Sequence, residues 1–324
     1  MIAFYKKYFE ILSHFELYSG KKQYIGSSKN RKCRYCGRSS DQTLFRDGVH
    51  AIPAFLSNRA IFTYEECDDC NNFFGSTLED HLSKFFGLRR TMSKLKGRTG
   101  IPTYGVPGRN PRIKFDPDLN RFHATGSFDD EFAKIDLERK TVVFKTERQP
   151  YRKRSAFKAL VKIALGLMPR SELQHFANTL RWIAIRNPED DHLDAKFYCF
   201  YSVSPVALSG IDALLLKRKS PSAALPFMSF YLAFANFTYQ IFLPFCDLDR
   251  HLIGTSVEMP RLPAFQEVLG QVEYIIEDLS SNEISKGEKD ELHFSFSGEA
   301  TVRKLPEVFP EELLNKIIEP NGNI

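Results

Sequence analysis

The sequence predicts an α+β chain in two parts: a small N-terminal unit clamped by cysteines, and a larger C-terminal α+β part of unassigned topology. Three observations predict this. Four of the six cysteines form two Cys-x-x-Cys pairs, "CRYC" (Cys33, Cys36) and "CDDC" (Cys67, Cys70). Strand-like and helix-like segments succeed one another along the rest of the chain without an internal repeat. A Gly- and Pro-rich stretch at residues 100–111 separates the two parts. With 324 residues, 43% of them hydrophobic, the chain can bury a core, and global disorder is excluded.

Residues 1–30 read as an amphipathic leader to the cysteine unit. "MIAFYKKYFEILSHFELYSG" places Phe4, Tyr8, Leu12 and Phe15 on one helical face and stops at Gly20. Lys6 and Lys7 interrupt any signal-peptide core, and no small-residue cleavage site follows. A second apolar run, residues 225–245, is long enough to raise a membrane span. However, Asn236, Thr238 and Gln240 recur at a strand period and prolines bracket the run, so buried β-structure is expected instead. The expected location is the cytoplasm, with no membrane contact.

In a reducing compartment, Cys-x-x-Cys pairs are seldom disulfides. Two such knuckles can aim four thiolates at one tetrahedral Zn²⁺, which closes the coordination sphere and makes the metal structural. Cys199 and Cys246, in "FYCFY" and "LPFCDL", read as inert core residues. Between the knuckles, "TLF" reads as a strand, "RDG" as a tight turn and "VHAIP" as a second strand ended by Pro53. After them, apolar residues at 73, 74, 78, 82, 85 and 86 predict a helix despite Gly75.

Taken together, "CRYCG…VHAIPAFLSN…ECDDCNNFFGSTLED" resembles the zinc-knuckle branch of the HNH, or ββα-metal, endonucleases. The likeness covers about residues 31–98, and its force lies in the order of the elements rather than in any one of them. It implies a nuclease domain at residues 31–110. His50 would be the general base, Asn58 the residue bracing the loop that carries it, and Asn71 an amide-oxygen ligand of a catalytic Mg²⁺ or Mn²⁺. On the residues alone, Asn71 could instead cap the helix, and Asn72 could be a cap or a surface residue. Glu79 has no assigned role, and His81 is expected in solvent. One position departs from the family: Val49 precedes His50 where an acidic ligand is usual. Asp47 or another carboxylate is the candidate substitute; otherwise Asn71, water and DNA phosphate must hold the ion.

Charge is uneven. Residues 1–110 carry 18 Lys/Arg against 10 Asp/Glu, a net of +8, and the remainder is −3. Arg89, Arg90, Lys94, Lys96 and Arg98, followed by Arg109 and Arg112, are candidates for phosphate contacts on double-stranded DNA. A solvated basic face or a surface linker is the alternative.

Residues 111–324 carry no motif that names a chemistry. Strands are expected within 112–128, 134–147, 195–204 and 228–245, and helices at 152–168, 171–185 and 309–319. The expected function is a metal-dependent DNA endonuclease yielding 3′-hydroxyl and 5′-phosphate ends, as the resemblance implies. Its C-terminal part would restrain it through a regulatory ligand, a protein partner or homo-oligomerisation, as in prokaryotic antiviral defence. The rivals are a non-catalytic zinc module that binds nucleic acid, with Val49 marking a decayed site, and an RNA-directed nuclease.

Overall fold

In the computed structural model, which describes residues 2–17, 21–105, 112–125, 132–204, 206–255, 257, 260–264, 267 and 272–296, the chain opens with a short helix. This helix, α1 (Ile2–Tyr8), runs straight into a strand, β1 (Phe9–Glu16). The single helix expected through Phe15 is therefore cut after two turns. Beyond Tyr8 the backbone pairs antiparallel with a strand far along the chain, Ile211–Arg218, which is buried along nearly its whole length and needs a neighbour on this side. Tertiary pairing overrides local periodicity here.

Strands β2 (Gln23–Ile25), β3 (Val49–His50) and β4 (Ile61–Thr63) make a small sheet in the order β2-β4-β3. The hairpin is thus built from β3 and β4, while residues 43–45, expected as its first strand, form none. The helix after the second knuckle runs unbroken over residues 68–86: α2 (Asp68–Phe74), a wide π turn (Gly75–Glu79) and α3 (Asp80–Phe86). Gly87, at φ +50°, ends it, and α4 (Leu88–Met92) follows.

A meander of β5 (Tyr104–Gly105), β6 (Arg112–Asp116) and β7 (Arg121–Thr125) comes next, then β8 (Ala133–Asp136), β9 (Thr141–Glu147) and β10 (Tyr151–Arg152). Helix α5 (Lys153–Leu167) is buried from Arg154 to its end, on every face and not only along the predicted apolar stripe. Helices α6 (Arg170–Leu173) and α7 (Ala177–Ile183) lead to β11 (Tyr198–Val203), β12 (Ile211–Arg218), β13 (Met228–Phe234), β14 (Phe237–Phe242) and β15 (Glu273–Asp278). Two further strands, β16 (Ile284–Ser285) and β17 (Lys289–Ser295), pair with β10 and β9.

The fold is therefore mixed α+β, with an antiparallel six-stranded sheet ordered β1-β12-β13-β14-β11-β15. The apolar run at 225–245 contributes the buried pair β13 and β14, and among the described residues no helix is long and apolar enough to cross a membrane. The helix expected at 309–319 lies outside the described residues.

The core does not divide at 110/111. One buried cluster contains Tyr35, Ile52, Leu56, Phe74, Leu82, Phe85 and Phe86 together with Phe157, Leu160, Ile163, Phe234 and Tyr239. Phe86 lies 5.3 Å from the Tyr239 ring and 5.7 Å from that of Phe234, while Phe85 lies 5.9 Å from Tyr151. The cysteine unit thus packs on α5 and the large sheet.

Candidate metal centre and catalytic cavity

The four knuckle cysteines converge: their sulfurs all lie within 4.8 Å of one another, and Cys36 and Cys67 are 3.7 Å apart. A tetrahedral Zn–S length of about 2.3 Å requires sulfurs about 3.8 Å apart, so the cluster is compatible with a zinc site. The thiols do not ionise alike. Cys33 is drawn down to about 4 by the hydrogen bond it receives from Cys70, while the same bond and burial push Cys70 up. Burial raises Cys67 to about 11. Four thiolates this close repel one another, and a cation between them offsets that repulsion. Arg38 borders the cluster, donating to Cys36 Sγ at 3.4 Å and pairing with Asp69 at 2.9 Å.

The first knuckle is tied to α5 by buried polar contacts. Arg34 Nη1 donates to the carbonyls of Leu165, Gly166 and Met168, satisfying the open end of the helix, and its other nitrogen pairs with Glu65. Tyr35 donates its hydroxyl to Lys162 O at 3.1 Å. On α5, three cations spaced by four residues each find a carboxylate. Arg154 and Lys158 share Asp191, and Lys162 sits 3.0 Å from both Glu66 and Glu79. Burial alone would lower the Lys162 pKa, but Glu66 and Glu79 outweigh it and keep the ammonium charged. Burial pushes Glu66 up to about 7.

Beside this pair lies a cavity of about 370 Å³ whose lining includes His50, Phe55, Asn71, Ser76, Glu79 and Arg98. His50 reaches it from β3, with its ring 4.8 Å from that of its cross-strand partner Phe62. Partial burial, then the nearby charges of Arg59 and Arg98, lower the His50 pKa below the usual 6.5, so the imidazole is neutral at pH 7. Asn71 lines the cavity from α2. It does not cap that helix, because Cys67 holds the N-cap position and the Asn71 amide N–H donates to Cys67 O. Asn72 is exposed on the same rim.

Asn58 is fully buried and spends its amide on the loop between β3 and β4. Its Nδ2 donates to Ile52 O at 2.7 Å and Ile61 O at 2.8 Å, and its Oδ1 accepts from the N–H groups of Ala60 and Ile61. A longer contact, 3.5 Å, reaches His50 Nδ1. The side chain makes four hydrogen bonds to the backbone of the loop and its ends.

Other candidates stand elsewhere. Val49 is buried, facing away from its neighbour His50 as strand alternation requires. Asp47 is exposed, pairs with Arg31 at 2.5 Å and lines a different cavity, so it is not brought to Asn71. Arg89 is not free for phosphate: it makes a bidentate, nearly buried pair with Asp290, at 2.7 and 3.0 Å. Arg90 is half-buried over the Phe55 ring and bonded to Ser83, and burial lowers its pKa to about 10. Lys94 bonds Asn120 and covers the Phe115 ring. Of the five basic candidates, Lys96 and Arg98 are exposed and make no ion pair among the described residues. Arg109 lies outside the described residues. His81 is half-buried, not in solvent, and its Nδ1 accepts from the Arg152 N–H.

Sequence reading missed Arg59 and Lys162. Arg59 donates to the carbonyls of Ala54 and Asn58 and to those of Lys96 and Gly97, clipping the loop that carries Arg98 onto the loop below His50. Lys162 is 112 residues from His50 in sequence, and a lysine within an apolar stretch of helix signals a buried partner without naming it. No family model, characterised protein or solved structure matches the chain.

Proposed function

We propose that this protein is a metal-dependent endonuclease of the HNH kind that hydrolyses phosphodiester bonds in double-stranded DNA, with a structural zinc in its cysteine cluster. The observation that carries the reading is a cavity lined by His50, Asn71 and Arg98 whose helix, through Cys70 beside Asn71, also carries the four-cysteine cluster.

Each side chain then has a task. His50, neutral at pH 7, takes a proton from the attacking water. Asn58 fixes the loop from which His50 projects, and Arg59 fixes the segment bearing Arg98. Arg98 and Lys96 hold the phosphate backbone at the cavity mouth. The lining offers an amide oxygen from Asn71 and a carboxylate from Glu79, the oxygen donors that suit a hard cation. Mg²⁺ or Mn²⁺, when bound, stabilises charge on the phosphate and on the departing 3′ oxygen. The C-terminal part is more than an appendage in this reading, because α5 supplies the counter-charge to Glu79. A regulator acting on that part would reach the cavity through α5.

The test pairs nicking of supercoiled plasmid, with Mg²⁺ or Mn²⁺, with zinc content. His50→Ala should keep zinc and fold while losing about a hundredfold or more in rate. Cys33→Ser or Cys70→Ser should release zinc and unfold the cysteine unit. An active His50→Ala protein sinks the base assignment. The second reading, a non-catalytic zinc module, is favoured by Val49; wild-type protein that binds DNA without nicking it or cutting RNA would establish it.

A further inference from the structure

The cavity holds His50 and Asn71 but receives no carboxylate from either position that the sequence offered. Val49 is turned into the core, and Asp47 is spent on Arg31 outside the cavity. One acid does line it: Glu79, the sole carboxylate of that lining among the described residues. Asn71, Gly75 and Glu79 follow at four-residue steps along one continuous helix, so all three face the same space. Glu79 closes the π turn Gly75–Glu79, a widening of the helix that recurs at functional sites.

Its charge balance points the same way. Lys162 Nζ bonds Glu79 Oε1 at 3.0 Å and lies equally close to Glu66, so one buried ammonium is divided between two carboxylates. Glu79 Oε2 has no protein partner among the described residues, and the side chain is 17% exposed on the cavity side. Arg98, although it lines the same cavity, makes no ion pair with it within 4.0 Å. The arrangement is a carboxylate fixed by one oxygen, with the other left for a cation.

We infer that Glu79 is the second oxygen ligand, with Asn71, of a divalent cation in this cavity, in place of the acid that Val49 removes. The inference rests on the nuclease reading for the ion's role, but the binding site stands on the side chains alone.

Binding is measured on the full-length protein without DNA, by following the free Mn²⁺ electron-spin-resonance signal during titration. Wild-type protein should bind one Mn²⁺. Asn71→Ala and Glu79→Gln should each weaken binding by roughly tenfold or more, with zinc content and melting temperature retained. Asp47→Ala should bind as wild type. If Glu79→Gln fails to fold, Glu79→Asp, which keeps the charge on a shorter arm, should fold and bind more weakly than wild type. Unchanged Mn²⁺ affinity in the folded Glu79 variant, or affinity lost in Asp47→Ala instead, overturns the assignment. Plasmid nicking separates the two claims. A wild-type protein that nicks while its Mn²⁺ affinity ignores Glu79 refutes this inference alone. One that binds Mn²⁺ through Glu79 but never nicks refutes only the nuclease reading.

Discussion

Cutting the chain after residue 110 tests how the cysteine unit is held. The sequence places a domain boundary there, and the basic excess of residues 1–110 invites the expectation of an independent DNA-binding fragment. The packing argues otherwise. Truncation strips the partners from four aromatic side chains: Tyr35 and Phe74 against α5, and Phe85 and Phe86 against Tyr151, Tyr201, Phe234 and Tyr239. Each is at most 8% exposed in the whole chain. At about 1.5–3 kcal/mol for each large apolar side chain returned to water, the loss is about 6–12 kcal/mol. That is the size of an entire domain's stability, about 5–15 kcal/mol. Arg34 would also lose three carbonyl acceptors, and Glu66 its buried lysine. A 1–110 fragment should therefore express insolubly, or show no cooperative thermal transition by circular dichroism even with zinc supplied. A soluble, zinc-loaded fragment melting within a few degrees of the full chain would refute the argument.

Three further outcomes follow from the same contacts. Val49→Asp buries an acid opposite Thr63, so it should cost several kcal/mol in denaturant unfolding; a stable variant that nicks at lower metal concentration would mean that Val49 faces the cavity after all. Nicking should hold between pH 8 and pH 7 and fall only below about 6.5, because burial, Arg59 and Arg98 depress the His50 pKa and the base is lost only when the imidazole protonates; a fall centred above pH 7 would contradict this. Arg98→Ala should weaken DNA binding and lower its salt slope by about one unit. Arg89→Ala should instead destabilise the fold, by about 1.5–3 kcal/mol, since Asp290 loses one of its two arginine partners in a nearly buried network and keeps Arg148. Equal effects of the two variants on DNA affinity, with no loss of stability in Arg89→Ala, would reverse these roles.

What the sequence could show was whatever is encoded locally. The cysteine spacing brought Cys33, Cys36, Cys67 and Cys70 together, and the helix period from Phe73 to Phe86 gave the helix behind them. The polar residues recurring in 228–245 gave buried strands and not a span. Each of these depends on neighbours within one element. The failures share a different cause. The strand Phe9–Glu16 forms because Ile211–Arg218, some 200 residues on, lacks a partner on that side. Arg89 reads as a phosphate ligand until Asp290 is known to lie against it, and Asp47 reads as a metal ligand until Arg31 takes it. A charged side chain shows its type in the sequence, but its counter-ion is set by the tertiary fold.

The same reasoning locates the part of the site that no local pattern could supply. His50, Asn58 and Asn71 lie within 22 residues of one another, and their spacing carries a meaning that can be read. Glu79 needs Lys162 to be held at the cavity wall, and Lys162 needs α5 to be buried against the helix that carries Glu79. A charge with no exposure at all is retained only where its partners are fixed, since an unpaired buried ammonium would cost several kcal/mol. Substituting Lys162→Met together with Glu66→Gln removes the fully buried pair and leaves one charge, the partly exposed Glu79 carboxylate. The double variant should be more stable than Lys162→Met alone, because one of the two carboxylates stranded by losing the lysine is made neutral. Lys162→Met alone leaves two carboxylates facing each other and should lower the melting temperature. If the single and double variants are equally unstable, packing around the lysine stem, and not its charge, holds this junction together.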